Sequence, residues 1–250
     1  FCADNLIVNN WLFRMVRYYF GEDNQHGPYA IYTKHYHYRR DDNSLNRYFS
    51  LMGFNDPIAY YLRKADRRPW FEKNSEEITW FSFNGDMPSL GDNGFFFRRN
   101  YLINTDLDHF YPMDVCEDLI KLGRNRFARV NCDWVWHRTS DNLFTFLRKR
   151  YKYARDLYCD RQDRRWKMLD TKEDYQRLLW FIASTLTVIP CLLVSLRGFR
   201  KIQDTSWFLH WPVCFGFLVT YTLLVCRNLL KWGNLFQRPL SSLPLTVQKV

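Results

Sequence analysis

Two groups of residues have types and spacing suited to chemistry. Cys116-Glu117-Asp118 sets two carboxylates side by side, and Gln162-Asp163-Arg164-Arg165-Trp166 follows later in the chain. A carboxylate beside an acceptor hydroxyl can take its proton as the oxygen attacks an electrophilic carbon. Only one of two helical neighbours can face that hydroxyl, so the other would orient or hydrogen-bond the acceptor. On a helix, Gln162, Arg165 and Trp166 share one face. Gln offers amide hydrogen bonds, Arg a fork for phosphate oxygens, and Trp a flat platform for a sugar ring. Each group also has a bland reading. Two acids in the first turn of a helix favour its dipole, and a basic stretch with one Trp suits a membrane headgroup layer.

Further candidates lie elsewhere. Asp4 is either a turn residue beside Asn5 or a carboxylate that holds a divalent metal on a substrate diphosphate. Gly91-Asp92-Asn93-Gly94, followed by Arg98, is a tight turn or a loop whose backbone can approach a sugar or phosphate. His137, at a strand end beyond the acidic pair, is a substrate-site candidate. His35 and His37 share a face of a strand, with no third ligand at a telling spacing. His210 is a lone polar group inside an apolar stretch and needs an internal partner. The seven Cys include no Cys-x-x-Cys, and they read as free thiols in a reducing compartment, neither a disulfide frame nor a zinc site.

Several elements must position these residues. Residues 9–20 read as an amphipathic helix, 29–38 as a strand, 39–43 as a polar turn, and 45–62 as helix interrupted near Asp56-Pro57. Residues 78–83 form a short aromatic strand, and Phe95-Phe96-Phe97 a buried apolar run. A helix starts around 117–124 with Asp114 as N-cap, and 129–136 alternates as a strand. From Leu143 onward, Leu147, Tyr151, Ala154 and Tyr158 recur at helical spacing among basic residues. That pattern suits a helix lying in the membrane interface, or a surface helix packed on the core.

Residues 178–196 carry no charge, and 205–226 are interrupted only by His210. Each reaches about the 20 residues needed to cross a bilayer, so together they read as a transmembrane hairpin. Flanking Lys and Arg favour a multi-pass membrane protein with its main domain in the cytoplasm. The net charge of +10 calls for an anionic partner: nucleic acid, a phosphate-bearing substrate or anionic lipid. Much of it sits at 148–167, just before the first apolar stretch, where basic residues meet membrane headgroups. The 19% aromatic content would suit a single-strand nucleic-acid binder. Such a binder leaves both apolar stretches unexplained, so nucleic acid is not among the expected partners. No signal peptide is visible, and the start at Phe1 suggests a missing natural N-terminus.

In this order the motifs resemble the second half of a glycosyltransferase family 2 catalytic domain of the GT-A fold, over roughly residues 1–166, plus the membrane helices many members carry. Cys2-Ala3-Asp4 is similar to the family's Asp-x-Asp metal motif, with Cys2 in place of the first Asp. Gly91-Asp92-Asn93-Gly94-Phe95-Phe96-Phe97-Arg98-Arg99 is similar to its donor-sugar loop. Cys116-Glu117-Asp118 is similar to its Glu-Asp motif, whose Asp is the base, and Gln162 to Trp166 to the Gln-x-x-Arg-Trp motif of processive members. The resemblance implies an α/β, Rossmann-like GT-A half over 1–140, a basic interfacial region over 141–177, two transmembrane helices over 178–226 and a basic tail over 227–250. It implies an inverting, membrane-associated glycosyltransferase. Asp118 would be its base, helped by Glu117, with Mg2+ or Mn2+ at Asp4, a nucleotide-diphosphate sugar as donor, and a carbohydrate or lipid-linked acceptor. The alternative is a degenerate or non-enzymatic membrane interaction protein.

Overall fold

Strands rich in Tyr, Phe, Ile and Val build a small mixed sheet in this computed structural model, which describes residues 5–7, 16–17, 28–65, 76–83, 87–90, 95–97, 111–156 and 164–236. The helix expected over 9–20 lies outside these residues except at positions 16 and 17, which are helical. The strands are β1 (Asn5–Ile7), β2 (Ala30–Tyr36), β3 (Ile78–Ser82), β4 (Phe95–Phe97) and β5 (Arg126–His137). β5 is the hub. It pairs in parallel with β2, and antiparallel with β3 along its first half and with β1 at its end. β4 closes the far edge on β2. The three Phe of β4 are half-buried rather than sunk in the core: Phe95 and Phe97 pack against the cluster around Tyr32 and Phe127, and Phe96, alternating to the other face, against Ile31 and Val130.

Local signals set the helices. Asn43 caps α1 (Ser44–Met52) by accepting from the Asn46 amide, and Gly53, at φ 79°, ends it in the left-handed conformation that glycine adopts without a Cβ clash. Asp56 caps α2 (Pro57–Tyr61), whose Pro57 stands at its start. This matches the expected break near Asp56-Pro57. α3 spans Pro112–Lys121 and α4 spans Leu143–Ala154, capped by Asn142. Asp114 is not the cap of α3. Tyr111 takes that position and Pro112 opens the helix, so Asp114 lies in the first turn and Glu117-Asp118 in the second half.

The apolar stretch at 178–196 is not one straight helix. α5 (Lys172–Thr187) and α6 (Ile189–Lys201) meet at Val188 and bend by 85°. Pro190 is the cause, since it offers no amide to a continuing helix and its ring clashes with the preceding turn. Val188 absorbs the bend at φ 66°, a region unfavourable for a β-branched residue. After a 3-10 turn at Thr205–Leu209, α7 runs His210–Phe236. Among the described residues, the helix Thr205–Leu229 is long and apolar enough to cross a membrane, and the bent α5–α6 pair adds a second only if counted as one broken span.

Packing departs from the expected segment boundaries. α1 and α2, placed by sequence within a catalytic half, share one core with α4, α5, α6 and α7 through Tyr48, Phe49, Phe146, Phe181, Trp207 and Phe217. A second core lies under the sheet, where Tyr32, Phe127, Met113, Cys116 and Trp166 meet. The two are tied by polar links. Asn46 Oδ1 accepts from the Thr139 and Ser140 amides, the Trp136 indole donates to Asp42, and Tyr38 donates to Asp204. α4 packs on α7 through Phe146 and Leu147, while Phe144, Arg148, Lys149 and Lys152 stay exposed. It is thus a packed helix whose outer face is basic.

Candidate functional site

α3 and the segment following α4 build the one place where the sequence candidates converge among the described residues. Helical spacing puts Asp114 and Asp118 one turn apart on α3. Residues 164–170 cross this helix as an irregular strap, not as a helix, so the face-sharing expected of Gln162, Arg165 and Trp166 does not arise at Arg165-Trp166. Asp114 anchors the strap. Its carboxylate accepts from Arg164 Nε at 2.8 Å and from the Trp166 amide at 3.0 Å. The Arg164 guanidinium also lies 4.3 Å over the Tyr111 ring.

So fixed, the strap presents Arg165 to the acidic pair. Arg165 Nε sits 2.8 Å from Asp118 Oδ1, with the two side chains 39% and 37% exposed. Glu117 turns to Lys121 at 3.4 Å, one turn along the helix. The two neighbouring acids therefore face different partners. Their placement in the second half of α3 removes the helix-dipole reading, which requires the first turn.

Trp166 is not a sugar platform. It is 7% exposed, its indole donates to the Met87 carbonyl at 3.0 Å, and its ring belongs to the core beneath the sheet. A large aromatic with its one polar atom satisfied is the plug that seats the strap. His137 is also largely buried. It ends β5 opposite Asn5 and stacks on Tyr36 with ring centres 5.3 Å apart. Asp4, Gly91, Asp92, Asn93, Gly94, Arg98 and Gln162 lie outside the described residues. Near Asp4, the structure places the following residue, Asn5, in register with His137.

A second constellation was not expected. Cys191, in the first turn of α6, meets His210 and Cys214, one turn apart on α7, and their ligand atoms all lie within 4.8 Å of one another. All three are fully buried. The Tyr48 hydroxyl of α1 lies 2.8 Å from His210 Nδ1. The Tyr61 hydroxyl of α2 lies 3.3 Å from both His210 Nε2 and Cys191 Sγ. His210 thus has the internal partners its position demanded, but it is not a lone polar group. The described cysteines are free thiols, as expected, but Cys191 and Cys214 share one cluster with His210. The i, i+4 spacing of His210 and Cys214 was the available signal, whereas Cys191 joins them only through the bend at Val188.

Comparison with known proteins returns no match: no family model fits the chain, and no curated protein or solved structure is detectably similar. What this chain does is therefore argued from the two clusters themselves. The first offers a solvent-reachable carboxylate held by a guanidinium, which suits proton transfer and binding of anionic groups. The second offers two thiols and an imidazole away from water, which suits a soft metal ion.

Proposed function

We propose that this chain is the acceptor-side part of a membrane-anchored inverting glycosyltransferase of the GT-A type, with Asp118 as its base. One observation carries the reading. The acidic pair and the Arg-Trp segment, far apart in sequence, meet with Asp118 and Arg165 in contact and both still reachable from solvent. In the proposed step, Arg165 orients the Asp118 carboxylate through Oδ1, and Oδ2 takes the proton of an acceptor hydroxyl. The acceptor oxygen then forms its bond to the anomeric carbon of a nucleotide-diphosphate sugar. The bond from that carbon to the diphosphate oxygen breaks, and the electron pair leaves with the nucleotide diphosphate. Arg165 adds positive charge near that developing anion. Mg2+ or Mn2+ at Asp4 belongs to the resemblance alone and is assigned no step.

Membrane attachment is supported by more than the length of one helix. Leu179, Leu186, Ile189, Leu196, Leu223 and Leu229, spread over α5, α6 and α7, are all exposed. Large apolar side chains exposed on three helices suit lipid contact. The exposed Arg148, Lys149 and Lys152 on α4 would meet anionic headgroups beside it.

The test uses the full-length protein in detergent, a panel of nucleotide sugars and candidate acceptors, and nucleotide-diphosphate release as readout. Asp118→Asn is expected to lower transfer by roughly 10²–10⁴-fold while donor binding persists. Wild-type-like transfer in that variant removes Asp118 as base. Absence of release from every sugar donor favours a non-enzymatic membrane protein.

A further inference from the structure

We propose that Cys191, His210 and Cys214 form a buried zinc site that staples the start of α6 to the start of α7. This inference is independent of the glycosyltransferase reading. The donor set is the first reason. Two thiols and one imidazole are soft-to-borderline ligands of the kind that hold Zn2+ and Cu+, not Mg2+ or Mn2+.

Geometry is the second reason. With Zn–S near 2.3 Å and Zn–N near 2.0 Å, tetrahedral ligands stand about 3.5–3.8 Å apart. Cys214 Sγ and His210 Nε2 are 3.8 Å apart, and the whole set falls within 4.8 Å.

The surroundings are the third. A metal-bound imidazole nearly always donates its other N–H to a fixed partner. With Nε2 toward the ion, Nδ1–H donates to Tyr48 Oη at 2.8 Å. Tyr61 Oη, 3.3 Å from both Nε2 and Cys191 Sγ, is the oxygen that would be offered as a fourth ligand. Beside the cluster, the buried Ser184 hydroxyl has no hydrogen-bond partner, while the Ser184 carbonyl accepts from Cys191 Sγ.

Charge decides between the two soft ions. Two thiolates and Zn2+ sum to zero, whereas two thiolates and Cu+ leave a net negative charge among fully buried side chains. The bend set by Pro190 and absorbed at Val188 brings Cys191, three residues on, to α7, and backbone strain of this kind clusters at functional sites.

The experiment is elemental analysis and cobalt substitution on the full-length protein purified in detergent without chelators. One zinc per chain is expected, and Co2+ exchanged into it should show thiolate-to-metal charge-transfer absorption. Cys191→Ser and Cys214→Ser, which keep a hydroxyl for hydrogen bonding, should lose the zinc and that absorption. Tyr48→Phe should keep the absorption and weaken affinity by about 10–100-fold. Should the Ser variants misfold, wild-type protein still decides. Alkylation of Cys191 and Cys214, followed by mass spectrometry, should accelerate once a chelator is added. Protein that takes up no zinc and gives no cobalt charge-transfer band overturns the proposal, as does protein that binds Cu+ but not Zn2+.

Discussion

Asp118 and Arg165 meet at the surface of the sheet half, each a little over one third exposed. Cys191, His210 and Cys214 meet in the helical half with no solvent exposure at all. Both clusters join residues distant in sequence, but their surroundings do opposite things. Around the first, water screens the charges, so the pair contributes at most about 1 kcal/mol to stability and remains available to a ligand. Around the second, every polar atom needs a partner inside the protein, because a buried group left unsatisfied costs about 1–3 kcal/mol. Solvent access separates a pair that a ligand can reach from a cluster sealed inside the protein.

That contrast can be broken most directly at Asp118. Asp118→Asn should lower sugar transfer by roughly 10²–10⁴-fold yet shift the unfolding free energy by under about 1 kcal/mol, measured on one preparation by product release and denaturant melts. A large stability loss with intact transfer would reverse the assignment of the two regions.

Trp166 comes next, since it sits beside the exposed pair but belongs to a core. Trp166→Ala should destabilise by about 3–5 kcal/mol, read as a lowered denaturation midpoint. A variant that keeps its stability and loses only acceptor affinity would return Trp166 to the surface role suggested by sequence. In the helical half, Gly198 of α6 packs directly under the Trp207 ring, where a Cβ would collide with ring carbons. Gly198→Ala should destabilise by about 1–3 kcal/mol. A neutral result in thermal melts would mean that the junction carrying Cys191 is looser than its packing indicates.

The smallest effect lies where the two halves join. Burial pushes the Asp204 carboxyl upward, but bonds from the Tyr38 hydroxyl at 2.6 Å and the Ser206 amide, with Arg47 close by, hold it below the ordinary value. Its contribution is present above a pH of about 3.9 and is lost as pH falls through the lower folded value. Tyr38 is pushed up to about 12 by burial and by its bond to Asp204. Its contribution holds below pH about 10 and fades as pH rises to about 12. Tyr38→Phe should cost about 1 kcal/mol near neutrality. It should also flatten the melting temperature against pH at the alkaline end. An unchanged alkaline slope would show that this link does not couple the halves.

Short-range chemistry was legible along the chain. The turn over 39–43, the break near Asp56-Pro57 and the strand character of 29–38, 78–83 and 129–136 were readable, because those signals act within a few residues, whereas the cap at Asn43 and the helix end at Gly53 emerge only in the fold. The sequence also determined that Glu117 and Asp118 stand on a helix with different neighbours, and that His210 requires internal partners. Tertiary structure alone decided three things. It sank Trp166 into the core beneath the sheet, since only docking on Asp114 fixes which way the strap faces. It broke the apolar stretch at Val188, since composition records hydrophobicity and not direction. Through that bend it brought Cys191 to His210 and Cys214, because a cluster assembled from two helices exists only once their packing sets the distance between them.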